Sequence, residues 1–244
     1  MRRARAIGGV LLLVASAGAA QAPRRSAPDC FDDGRAAQAL AARDLAAVAR
    51  GDAVVTTTDL AGRRWPRVCV YRFIEASPEQ SLAVLTDYPL RPSYIPDVRA
   101  SNVVPATADS ATKRVAYVIH VLLRIDEIDT LREVARRLAA PDGAYRLEWS
   151  SITSSMAKSI AGSATFVPWR NDSSSTMGTL MIYQQSVEPG SRLASLPFIK
   201  SRGIDAVRNA AIAIARQVEE ERARHPRQLD EQVTALRRTL PLPN

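Results

Sequence analysis

Apolar side chains recur with a helical period over residues 199–224. Ile204, Val207, Ala211, Ile214 and Val218 share one stripe, while Arg208, Arg216, Glu219 and Glu220 fall largely off it. Such a stripe predicts one long amphipathic helix, Ile199–Arg224, with one face against a core. Upstream the period changes to two. Tyr145, Leu147 and Trp149 alternate with Arg146, Glu148 and Ser150, as in a sheet with one apolar and one solvated face. Segments divided by turn residues predict strands at Asp52–Leu60, Arg67–Phe73, Arg99–Pro105, Arg114–Leu123, Ala144–Ser151, Ser159–Trp169 and Thr176–Glu188. Asn171–Ser175 reads as a hairpin loop. Residues 125–138 fit two periods. Ile128, Leu131, Val134 and Leu138 suit a helix, but the place between two strands favours a further strand, which we assign.

Helix boundaries are written into the chain at several points. Ser77-Pro78-Glu79-Gln80 supplies a cap, a proline at the first helical position and the glutamine of a capping box. Leu82, Leu85 and Tyr88 follow at helical spacing, and Pro89 ends the helix because it cannot continue the hydrogen-bond ladder. Earlier, Leu40, Leu45 and Val48 predict a short helix within Asp33–Arg50, stopped by Gly51. After Pro226, the spacing of Leu229, Val233, Leu236 and Leu240 allows one more turn or two of helix.

The first 22 residues follow a different plan. Arg2, Arg3 and Arg5 precede the apolar run Ile7–Val14, which is too short to span a bilayer, and Ala20-Gln21-Ala22 forms a small-residue cleavage site. This predicts a signal peptide and an exported protein, periplasmic or secreted. Its removal takes away three arginines and no acids, lowering the formal net charge from +8 to +5 and leaving 222 residues. At ~150 residues per domain, that is one large domain with extensions. Residues 23–47 then hold a linker and the N-terminal helix, 48–224 the domain itself, and 225–244 a C-terminal tail. A composition of 46% hydrophobic and 24% charged residues excludes disorder, collagen and a disulfide-dense mini-protein.

Charge adds little to this picture. Lysine occurs only at Lys113, Lys158 and Lys200, and the arginines are spread along the chain with acids between them. No basic run is interleaved with aromatics, which argues against nucleic acid as a partner. Transient contact with anionic lipid headgroups fits better, at up to ~1 kcal/mol per arginine. Cys30 and Cys69 admit two readings: a disulfide, or a mobile Cys30 with Cys69 packed as a small hydrophobe. The histidines are His120 and His225, and no HExxH or EF-hand pattern occurs, so neither a protein-held metal nor a cofactor is implied.

The order is strands, a short helix, a run of antiparallel strands and one long helix. This is an α+β architecture in which the long helix is the large cover for the sheet's apolar face. A curved sheet wrapped round one helix leaves room between them for an apolar ligand. At this point the residues resemble a family. The stretch Val70-Tyr71-Arg72-Phe73-Ile74-Glu75-Ala76-Ser77-Pro78-Glu79-Gln80, then Val84-Leu85-Thr86-Asp87-Tyr88, is similar to the START-like (SRPBCC) helix-grip superfamily. That group includes birch-pollen-allergen-like proteins, polyketide cyclases and coenzyme-Q-binding proteins, the last being the most similar. Tyr94-Ile95-Pro96-Asp97-Val98, Ser101, the segment from Gly178 to Tyr183, Pro189-Gly190 and the helix from Pro197-Phe198 match as well. The usual tryptophan of the first helix is replaced by Leu82 or Val84. The resemblance covers roughly residues 48–222. It implies a curved antiparallel sheet around a long C-terminal helix, and a lipid or isoprenoid as the partner. A cyclase or dehydrase enzyme, or an envelope interaction module, is the alternative.

The resemblance places the cavity mouth at Tyr88–Pro96, where Tyr88 and Tyr94 either gate a ligand or close a core corner. Pro89, Pro92 and Pro96 predict a movable loop there. Tyr117, Ile119, Val121, Trp149, Met181 and Tyr183 share sheet faces by their spacing, and Val207, Ala211 and Ile214 belong to the helix stripe; together they are the expected ligand lining. Periodicity does not say which sheet face points inward. His120 has no Ser, Cys or Asp partner identifiable by spacing, so we expect it on the outer face or hydrogen-bonded in the sheet. Asp126, Glu127 and Asp129 are expected at a solvated edge. No catalytic residue is assigned.

Overall fold

The structure, a computed structural model, describes residues 30, 40–104, 112–122, 125–171, 174–191 and 196–240, except the side chains of residues 121, 122 and 125. The signal-peptide reading of residues 1–22 lies outside the described residues.

The elements are α1 (Ala42–Ala49), β1 (Val54–Thr58), β2 (Arg67–Ile74), α2 (Pro78–Leu85), α3 (Arg91–Tyr94), β3 (Val98–Val104), β4 (Thr112–Leu122), β5 (Ile125–Arg137), β6 (Tyr145–Ser154), β7 (Ala157–Asn171), β8 (Thr176–Pro189), α4 (Pro197–Arg224) and α5 (Pro226–Thr239). A 3-10 turn, Tyr88–Leu90, joins α2 to α3. The strands form one antiparallel sheet in the order β1-β2-β8-β7-β6-β5-β4-β3. The segment 125–138 is thus a strand. Its apparent helical period mixes the two faces: Leu131 points inward and is 8% exposed, while Ile128 points outward and is 61% exposed.

Register fixes which side chains face inward. Val70 pairs with Tyr183, Tyr183 with Ala164, Ala164 with Leu147 and Leu147 with Ala135, a continuous row across five strands. Val70, Leu147 and Phe166 of this face meet Leu82 of α2, Ile214 and Val218 of α4, and Leu229 of α5 in the main core. The helix start at α2 is a complete capping box. Ser77 Oγ accepts from the Gln80 amide at 3.2 Å, and the Gln80 side chain accepts from the Ser77 amide at 3.0 Å.

Over β2 and β8 the opposite face is covered too. Leu40 and Val48 pack on Tyr71, Phe73, Leu180 and Ile182, and Cys30 forms a disulfide with Cys69 beside them. The solvated face therefore spans only part of the sheet.

Two of the three prolines expected in a movable loop lie in helical turns. Pro89 and Pro92 occupy the first turns of the 3-10 turn and of α3, where a missing N–H costs no hydrogen bond. Tyr88 and Arg91 are buried there.

Candidate functional site

Along β5 the inward positions are Glu127, Asp129, Leu131, Glu133 and Ala135, and the last three carry the main core or lie within it. Glu133 is 2% exposed, in the middle of an apolar face. A lone carboxylate there would be costly, and its partner comes from α3. Arg91, 4% exposed, donates from both terminal nitrogens to the two Glu133 carboxylate oxygens, each at 2.9 Å. Its Nε donates to the Leu85 carbonyl at 2.8 Å, which uses the open C-terminal end of α2. Tyr117 Oη donates to Glu133 Oε1 at 2.5 Å and accepts from Arg91. The guanidinium lies 4.5 Å from the centroid of the Tyr88 ring, a cation–π contact that adds to its holding.

Burial pushes the Glu133 carboxyl above the usual carboxylate range, and Arg91 acts against that shift. Burial also opposes the Arg91 charge, but the facing Glu133 carboxylate holds its guanidinium above the ordinary arginine value. The parallel two-bond geometry is that of an ion pair. Burial raises the hydroxyls of Tyr88, Tyr94 and Tyr183 well above the ordinary phenol range, so all three are neutral near pH 7. The result is a compact polar island on an apolar concave face.

The expected lining residues are brought to this same face. Tyr88, Tyr117, Trp149, Met181, Ala211 and Ile214 are buried in the main core, and Tyr94, Ile119, Tyr183 and Val207 pack against it with part of their surface exposed. The Trp149 and Tyr183 rings stand 5.2 Å apart. The side chain of Val121 lies outside the described residues. His120 faces the other way, with its Nδ1 3.1 Å from Asp126 and 3.1 Å from Arg99.

One expectation is corrected. Asp126 does lie at the exposed face with His120 and Arg99, but Glu127 and Asp129 do not form a solvated edge. Asp129 is 1% exposed. Burial raises its carboxyl, as it does that of Glu127, where the Asp129 charge adds to the effect. The three acids alternate across a strand, so one goes out and two go in.

Arg91 and Glu133 were not singled out from the sequence. Glu133 carried a signal, a charge at an inward phase between Leu131 and Ala135. Arg91, between Leu90 and Pro92, carried none. Two open surface grooves lie elsewhere: one of about 500 Å³ beside Arg132, Glu148 and Gln184, and one of about 700 Å³ beside Arg72, Glu219 and Arg222.

Solved structures share the arrangement of sheet and grip helix. The STAR-related lipid transfer protein of Xanthomonas axonopodis matches with a TM-score of 0.57 at 15% identity, over 68% of this chain and 98% of that one. The fold is START-like. A START superfamily protein from Mycobacterium smegmatis matches with a TM-score of 0.50 at 14% identity, over 63% of this chain and 97% of that one. No protein-family model matches the sequence, and no curated protein does. At these identities the likeness is one of fold. The START-like frame positions the Arg91–Glu133–Tyr117 cluster, and the cluster's chemistry is read from this chain alone.

Proposed function

We propose that the protein binds an apolar small molecule, a lipid or isoprenoid, between its sheet and α4, and carries or sequesters it outside the cytoplasm. The observation that carries this reading is a gradient of closure along α4. Ala211, Ile214, Ala215 and Val218 are fully buried, whereas Val207 and Ile204, one and two turns earlier, remain partly exposed. Ile119 and Val187 of the sheet's inner face are partly exposed as well. An apolar ligand there would remove this surface from water at ~25 cal/mol per Å². The lipid-transfer description of the Xanthomonas protein supports the ligand class.

Export is supported by the N-terminal pattern and by the Cys30–Cys69 disulfide, which suits an oxidising compartment. Transient membrane contact is supported at the start of α4, where Leu196 and Phe198 are 41% and 62% exposed, close to Lys200 and Arg202. The enzyme reading is less well supported. Arg91, Glu133 and Tyr117 satisfy one another, and His120 faces away from the interior.

Native mass spectrometry of protein purified from a periplasmic or secreted fraction tests the reading. It should show a chain beginning at Pro23 with a co-purifying lipid. A ligand-free protein that also fails to take up fatty acids, sterols or quinones would overturn it.

A further inference from the structure

We infer that the inner face holds a polar recognition point, built from Asp129 and Glu127, for the protonated primary amine of an otherwise apolar ligand. The inference rests on the binding reading above.

Neither carboxylate oxygen of Asp129 has a hydrogen-bond partner, although the residue is 1% exposed. Native interiors seldom leave such a group unmatched. Its cross-strand neighbours are Tyr117, whose hydroxyl is committed to Glu133, and Ser154, whose single hydroxyl hydrogen is committed to Glu127. Beyond Tyr117, on β3, Ser101 Oγ is buried without a partner too. Polar groups with unused capacity thus flank a committed one on a single row. Glu127 lies two residues from Asp129 on the same face and accepts from Ser154 Oγ at 2.9 Å.

The charges around this row leave it unbalanced. Arg91 is taken by Glu133, and Arg99 and His120 are taken by Asp126 on the opposite face. Among the described residues, no cation is paired with Asp129 or Glu127. Two acids with no cation in a site of low dielectric call for a positive donor. An ammonium group brings a full charge and three donors with no acceptor. A hydroxyl brings one donor and no charge, and a carboxylate is repelled. A metal ion fits less well, since no group of three metal-ligating side chains occurs among the described residues, and hard cations take six or more oxygens. Ile119 and Leu131 of the sheet's inner face, with Tyr94 of α3 packed against the same core, suit an alkyl or ring body attached to the amine.

Isothermal titration of decylamine, decanol and decanoate, below their micellar concentrations or, for decanol, its solubility limit, into the full-length wild type, Asp129→Asn and Glu127→Gln tests the assignment. Asparagine matches aspartate in shape and removes an uncompensated charge, so the fold should persist, as checked by circular dichroism. The wild type should bind decylamine about tenfold or more tighter than decanol. Asp129→Asn should abolish that preference, and Glu127→Gln should reduce it by a smaller factor. Decanol binding without an amine preference, or a preference that survives Asp129→Asn, overturns this inference and leaves the binding reading standing. Failure of all three probes to bind the folded wild type overturns the binding reading itself.

Discussion

Arg91 and Glu133, forty-two residues apart, form a two-bond ion pair inside the concave face, with both N···O distances 2.9 Å. α3 is short, yet this contact fixes it over the middle of β5. Arg91→Met or Glu133→Leu alone should strand a buried charge and cost about 3–5 kcal/mol. The double variant Arg91→Met/Glu133→Leu should recover most of that loss, because no charge is left unpaired. Urea denaturation near neutral pH measures all three. Single variants as stable as the wild type would show that the pair contributes nothing to holding α3.

Asp129 sets a slope in the pH dependence of stability. Its native carboxyl is raised above the ordinary value of 3.8, first by burial. Below that value both folded and unfolded states hold the proton and the residue has no effect on stability. As pH rises past it, the unfolded chain ionises while the native state keeps its proton, so stability falls. The fall ends once the pH exceeds the raised native value. Asp129→Asn should remove this contribution and be the more stable protein on the alkaline side of the window. Thermal unfolding from about pH 3 to pH 8 decides it: parallel curves for the two proteins would place the Asp129 carboxyl in solvent.

Much of the frame was legible because periodicity reports burial. The 3.6-residue stripe of Ile204 to Val218 gave α4 to within two residues at its start, and Ser77 with Gln80 gave the start of α2. Residues 125–138 were ambiguous because apolar residues on both faces of β5 mimicked a helical spacing. The site was less legible for a related reason. Spacing tells which residues share a face, and only register tells which face is inside. The polar cluster joins α3 to β5 over a long sequence separation. No local pattern encodes an arginine whose partner lies that far along the chain. The acidic run at 126–129 looked solvated because its composition is polar, although alternation had already sent Glu127 and Asp129 to the same side as Leu131.

The disulfide ties Cys30 to β2 across a sequence separation of 39. Cys30→Ser or Cys69→Ser should lower stability by roughly 3–4 kcal/mol in the chain-entropy model. The effect should centre on the outer cluster of Leu40, Val48, Tyr71 and Phe73, and amide exchange should rise in α1 before it rises in α4. Denaturation with and without reductant gives the magnitude. A reduced wild type that unfolds at the same denaturant concentration would show that the bond carries none of the outer cluster's stability.

Where along α4 a ligand sits can be read from which substitutions exclude it. Ala211 is fully buried against the core, so Ala211→Trp would overpack a closed site and cost about 1–3 kcal/mol or more in folding. Val207, one turn earlier, retains exposed surface beside partly exposed Ile204. There α4 is held close to the β1–β2 connection at Gly203, where an added Cβ would stand 2.4 Å from the Trp65 ring. The helix has little freedom to swing away, so bulk added at residue 207 must enter the space beside it. Val207→Trp should therefore weaken binding of a fluorescent fatty acid or sterol analogue by about tenfold, a loss of ~1.4 kcal/mol, while changing stability less than Ala211→Trp does. His120→Ala, on the opposite face, should leave binding unchanged. Titrating the analogue into the three variants, with thermal unfolding measured in parallel, separates exclusion of the ligand from damage to the fold. Equal affinity in Val207→Trp and wild type would place the ligand away from the N-terminal half of α4.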